Sequence, residues 1–135
     1  MYDEVKKSIK MTTNIILTKG IYDLIKDHVR RKKVTKDQEE ILTQELKTAK
    51  QILRRELPEE IVTVDRSVQI KNIITNEETT FNFVGPKRAK AGKNRHSILN
   101  EVGLATVGYK TGDTVKWPTE KGEKVFEILK VTITE

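Results

Sequence analysis

Apolar residues in the first half of the chain recur at helical intervals; further along they recur at every second position. Ile21, Leu24, Ile25 and His28 lie on one helical face, with Val29 beside it, which predicts a helix from about Lys19 to Arg31 opened by Thr18. Arg30-Arg31-Lys32-Lys33 follows, placing positive charge at the helix C-terminus, where it is favourable. Thr35-x-x-Gln38 reads as a capping box, with Asp37, Glu39 and Glu40 in the opening of a second helix. Leu42, Leu46, Ala49 and Leu53 supply its apolar seam, and Pro58 stops it near Glu56. A helix of about 20 residues would be roughly 30 Å long. The two helices form an antiparallel hairpin. Ahead of them, Met1–Thr13 has few apolar marks (Val5, Ile9, Met11) and is expected to be a frayed or partner-docked tail. Asn14–Leu17 reads as an extended lead-in.

From Glu59 the period changes to two. Ile61–Val64 is a strand or its entry, Val68 and Ile70 mark a half-buried strand, and Thr75–Glu78 is a turn. Phe81 and Phe83 alternate with polar neighbours in Thr79–Val84, which completes a β-hairpin. Lys87 to His96 is a basic loop. Ser97–Leu99 is strand-like, Asn100 caps a short helix begun by Glu101, and Gly108 ends that helix in a left-handed conformation. Lys110–Asp113 is a tight turn, Thr114–Trp117 a strand, Pro118–Gly122 a hairpin turn, and Lys124–Ile133 the last strand. Runs of helix followed by runs of strand predict an α+β chain, with a helical part over residues 1–57 and a β-rich part over 58–135.

Charge and chemistry refine this outline. The net charge is +6, and most of the excess lies early: 14 Lys/Arg against 9 Asp/Glu up to Leu57, then 12 against 11. Such a balance fits attraction to a polyanion or an acidic protein surface as well as plain solubility. No run approaches the roughly 18 apolar residues that a membrane span needs, and the N-terminus lacks a signal-peptide pattern. There are no cysteines, which suits a reducing cytoplasm and excludes thiolate metal sites. His28 and His96 have no ligand-like spacing, so no metal and no cofactor is expected. No phosphate loop, metalloprotease motif or nucleophile elbow occurs. Ser97 and His96 are adjacent, but strand neighbours point to opposite faces, so they make a poor nucleophile–base pair. No catalytic residue and no small-molecule substrate is expected.

The stretch Ser97–Trp117 resembles the C-terminal domain of the bacterial Gre transcript-cleavage factors, and within that group the regulator of nucleoside diphosphate kinase (Rnk) type. Ser97, Gly103, Ala105, Gly108, Gly112, Asp113, Val115 and Trp117 fall on the family's pattern, while Glu101 stands where the family has proline. The likeness extends over about Ile61 to Val131. It implies an FKBP-like fold for the β-rich part. Peptidyl-prolyl isomerase activity is not expected, because alternation assigns most of Phe81, Phe83, Tyr109, Trp117 and Phe126 to the core rather than to an open pocket.

The resemblance also implies a partner, RNA polymerase, bound near its secondary channel. The family's docking surface carries over onto Ser97, Leu99, Asn100, Glu101, Val102 and Gly103. In the Gre factors, acidic residues at the tip of a long coiled coil bring a second Mg²⁺ to the polymerase site. Here the tip contains Asp37, Glu39 and Glu40 beside Lys32 and Lys33, lacks the family's acidic tip stretch, and ends a shorter rod. The expectation is therefore a non-enzymatic, cytoplasmic bacterial regulator that docks on polymerase without stimulating cleavage. The competing reading is a nucleic-acid binder acting through Arg30–Lys33 and through Lys87, Arg88, Lys90, Lys93 and Arg95.

Overall fold

The computed structural model describes residues 14–134, so the expected tail at Met1–Thr13 lies outside the described residues. A short extended segment, β1 (Ile16–Leu17), leads into helix α1 (Lys19–Arg30). The Thr18 hydroxyl accepts a hydrogen bond from the Ile21 amide and caps that helix. Ile21, Ile25 and Val29 are buried on a single face. Helix α2 (Lys36–Thr48) opens with the expected capping box: Thr35 and Gln38 each accept from the other's backbone amide.

The second helix stops well before Glu56. It holds 13 residues, about 20 Å, instead of some 30 Å. The cause is competition from a distant partner. Beyond Ala49 the chain pairs in parallel with β1 as β2 (Lys50–Gln51). The Lys50 and Ile52 amides go to the Ile15 and Leu17 carbonyls rather than to the preceding helical turn. Leu53, expected on the helical seam, is 53% exposed. A single 3₁₀ turn at Arg54–Glu56 follows.

The remainder is a five-stranded sheet in the order β5-β4-β3-β7-β6, formed by β3 (Arg66–Asn72), β4 (Glu77–Val84), β5 (Arg95–Ser97), β6 (Thr114–Thr119) and β7 (Gly122–Ile133). Three pairings are antiparallel, and β4–β5 is parallel. Ile61–Val64 makes one bridge, Ile61 to Lys110, and otherwise leads into β3 as its entry. Helix α3 (Glu101–Thr106) links β5 at one edge to β6 at the other. Along β3, Val68 and Ile70 are buried while Ser67 and Gln69 are half-buried, so the sheet has an apolar and a polar face. Arg66 is the exception. It is only 3% exposed, and its Nη1 donates to the carbonyls of Pro58, Glu59 and Ile61 at 2.7, 3.1 and 2.9 Å. These bonds tie the segment before the sheet to its central strand.

Helices and sheet share one apolar core. Ile21, Ile25, Val29 and Leu42 of the hairpin belong to the same buried cluster as Val68, Phe83, Trp117 and Ile128. The joint is backbone to backbone. The Ile16 amide donates to the Gly108 carbonyl, and the Gly108 amide donates to Val62. Gly108 has φ +85, and a Cβ there would lie 2.7 Å from Ile15 Cβ and 3.1 Å from Leu17 Cδ2.

Gly108→Ala should therefore cost about 2 kcal/mol or more in urea unfolding, combining backbone strain with overpacking. Gly112→Ala, also at positive φ but in open space, should cost only about 1 kcal/mol. Equal losses would mean that the contact with β1 yields freely.

Candidate functional site

The stretch from Ser97 to Gly103 is built to hold a sharp strand-to-helix corner. Ser97 Oγ accepts from the Leu99 amide at 3.0 Å, and Asn100 Oδ1 caps α3 by accepting from the Gly103 amide at 2.7 Å. Leu99 and Val102 are half-buried and rest on the core. Glu101 is half-buried and pairs with Lys124 Nζ on β7 at 2.7 Å. Gly103, one of the expected docking residues, is buried. A Cβ on it would sit 2.2 Å from the Ile98 carbonyl oxygen, so its part is to let α3 lie directly on that backbone. The surface offered at this corner consists of Ser97, Leu99, Asn100, Glu101 and Val102.

The hairpin tip lies beside this corner. A groove of about 510 Å³ has Lys33, Val34 and Gln38 on one wall and Glu101, Thr119 and Lys124 on the other. Gln38 Nε2 donates to the Pro118 carbonyl at 2.8 Å, which also satisfies part of the edge of β6. Farther down α2, the Tyr109 hydroxyl donates to Glu45 Oε2 at 2.6 Å. The hairpin is thus fastened along the sheet domain at its tip, at its middle and at its base.

At the tip, Lys32 is in the left-handed region with φ 58 and faces Glu39 at 3.4 Å. Arg30 and Arg31 both pair with Asp27. Asp37 and Glu39 occupy the first turn of α2, where the helix dipole favours them. Asp37, Glu40 and Lys33 are exposed. Among the described residues, no group of three or more His, Cys, Asp or Glu could hold a metal ion.

The second basic group lies elsewhere. Lys87, Arg88, Lys90, Lys93 and Arg95 are all exposed, carried on 3₁₀ turns at Pro86–Arg88 and Ala91–Lys93 and on the start of β5. β5 is one edge of the sheet, while the hairpin tip contacts β6 at the other. Four strand spacings separate those edges, roughly 19 Å, so the two basic groups do not form one patch. Beside β5, Phe81 stacks on Phe83 at 5.4 Å, and His96 meets the Phe81 ring edge-on at 5.0 Å.

Sequence reasoning missed Gln38, Glu45, Tyr109 and Arg66 as positioning residues. Gln38 was visible as a cap but not as a reach to Pro118, and nothing local marks the other three.

Burial first, then the Glu45 carboxylate, pushes the Tyr109 phenol far above its ordinary value of 10.0. The folded chain then keeps a proton that the unfolded chain loses. Its contribution is complete below about pH 10 and declines as pH rises above that. Stability should fall on alkaline titration past pH 10, and Tyr109→Phe should flatten that fall. In the folded wild type, the Tyr109 share of phenolate absorbance should appear only on unfolding.

The corner and the sheet that carries it have known relatives. A GreA transcription elongation factor of Clostridium botulinum is 34% identical over 90 residues, covering 67% of this chain and 56% of that protein. GreA of Thermosipho africanus is 34% identical over 73 residues, covering 54% and 47%. The chain thus spans about half the length of the curated relatives it matches. A solved structure, a prokaryotic transcription elongation factor GreA/GreB from Nitrosomonas europaea, superposes with a TM-score of 0.63 at 25% identity over 89% of this chain and 98% of that one. Residues 57–133, more than half of the chain, match the family described as transcription elongation factor, GreA/GreB, C-term, and the chain is a member of that family.

Proposed function

We propose that this chain is a non-enzymatic transcription regulator that docks on RNA polymerase through the corner at Ser97–Val102, near the secondary channel, and does not stimulate transcript cleavage. Family membership supports the polymerase as partner. One observation carries the second half of the reading: α2 has only 13 residues, and its tip lies against the sheet domain beside Glu101 and Thr119. A carboxylate on a tip held at the head does not reach a metal deep in a channel. Asp37 and Glu39 are accounted for by the helix terminus they stabilise.

In this reading the residues 58–135 grip the polymerase, and the helical part over 1–57 sits at the channel mouth and obstructs longer factors. The short hairpin supports reading the chain as Rnk-type within the family. The setting is the bacterial cytoplasm. No helix among the described residues is long and apolar enough to cross a membrane, which fits that setting. Glu101 stands at the point of contact, where its ion pair with Lys124 leaves it partly exposed.

Wild-type protein should co-purify with core RNA polymerase, and Glu101→Arg should weaken that association about tenfold or more, by like-charge repulsion from Lys124 and loss of the contact. On backtracked elongation complexes the wild type should leave the transcript at full length, and should slow shortening by an added cleavage factor. Robust shortening by the protein itself would refute the obstructing role, and loss of co-purification in the wild type would refute docking.

A further inference from the structure

The two basic groups differ in what surrounds them. At the hairpin tip, Arg30 and Arg31 are paired with Asp27, and Lys32 with Glu39. On the β5 edge, among the described residues, only Arg88 has a carboxylate partner, Asp65 at 2.9 Å. No acidic residue occurs between Glu78 and Glu101. Lys87, Lys90, Lys93 and Arg95 are exposed on this stretch and make no ion pair among the described residues.

The loop that bears them is held in shape. The Lys90 amide donates to the Arg95 carbonyl at 2.8 Å, and both the Arg95 and Lys93 amides return to the Lys90 carbonyl. The charges are thus presented from a closed turn instead of a floppy tail, so less side-chain and loop entropy is lost on binding.

The sequence offers no aromatic residue within this run, but the parallel pairing supplies one from the neighbouring strand. Register places Phe83 opposite His96 and Asn82 opposite Arg95. Phe83 is fully buried and backs the stack, whereas Phe81 and His96 are only half-buried. His96 Nε2 lies 2.8 Å from Asn94 Oδ1, which fixes the imidazole plane. A cationic track next to a partly open aromatic pair meets the two requirements of single-strand binding, phosphate neutralisation and base stacking. An acidic protein segment would use the charges but has no need of the rings.

We propose that the β5 edge, Lys87 to His96 with Phe81, binds single-stranded nucleic acid, with Lys87, Lys90, Lys93 and Arg95 along the phosphates and a base stacked on the Phe81–His96 pair. The hairpin tip takes no part. This surface goes beyond polymerase docking and does not depend on it.

The test is fluorescence anisotropy of the full chain with labelled oligo-dT and oligo-rU of about 12 nucleotides, the corresponding duplex, and polyglutamate of matched charge. Both single strands should bind at about 50 mM salt, and the affinity should fall steeply as salt rises, with a log–log slope of about −2 to −3 for three to four phosphates. Lys90→Glu/Lys93→Glu, at exposed positions, should weaken binding at least tenfold. Arg30→Glu/Lys33→Glu should change it less than about twofold. His96→Ala should weaken both single strands about tenfold and leave the salt slope unchanged, because stacking is lost and no phosphate contact is. Each variant's thermal unfolding, compared with wild type, shows that the fold is kept. A preference between dT and rU reports whether DNA or RNA is the natural ligand. The proposal is overturned by failure of the wild type to bind either single strand, by equal binding of polyglutamate, by tighter binding of the duplex, or by a larger effect of the tip variant. Polymerase co-purification is scored separately, so either result leaves the docking reading to its own assay.

Discussion

Gly108 sits where three pieces of chain meet. Its carbonyl takes the Ile16 amide, its amide goes to Val62, and the missing side chain leaves room for Ile15 and Leu17. A left-handed conformation ends α3 at the same position. The base of the hairpin is joined to the sheet domain through this residue, and β2 is then drawn onto β1 behind it. A bulkier residue would push β1 away and break the ladder on which β2 depends. The early end of α2, the shared core and the placement of the tip all follow from this close approach.

The consequence for function is one of reach. A hairpin whose base is anchored at Gly108, whose middle is tied by Tyr109 to Glu45, and whose tip is tied by Gln38 to Pro118 lies along the head. Each tie is a buried or half-buried hydrogen bond, which is costly to leave unmade. The groove between tip and α3 gathers the tip residues and the proposed polymerase-docking corner into one surface. The β5 edge, with its exposed cations and aromatic pair, adjoins that surface at Ser97 and carries charge of its own. Charge that looks like a single basic excess in the composition is divided by the fold between a hairpin tip partly paired with Asp27 and Glu39 and a β5 edge where, among the described residues, Arg88 alone has a carboxylate partner.

What could be read from the sequence was local. Thr18, the Thr35–Gln38 box and Asn100 each announce a helix start through side-chain chemistry within three residues, and each is found capping. The alternation at Val68 and Ile70 marks the buried face of β3 correctly. What failed was long-range. Leu53 continues a helical pattern, yet the amides around it find strand partners some 35 residues away at Ile15 and Leu17. Arg66 reads as an ordinary surface cation, but three carbonyls of the preceding segment bury it. Of the corner residues, Asn100 caps α3 and Glu101 pairs with Lys124, whereas Gly103 is interior for a reason visible only in the 2.2 Å approach to Ile98. Phe81 and His96 are far apart in the chain, and only the parallel register of β5 brings them together.

The central claim is that the tip remains against the head when the protein is at work. The chain has no cysteine, so Lys33→Cys/Lys121→Cys places a unique pair of spin labels across the groove, both at exposed lysines. Double electron–electron resonance should give one short distance, the same in the free protein and in its complex with RNA polymerase. A long distance, or a shift from short to long on binding polymerase, would show that the hairpin swings out as an arm and would contradict the account.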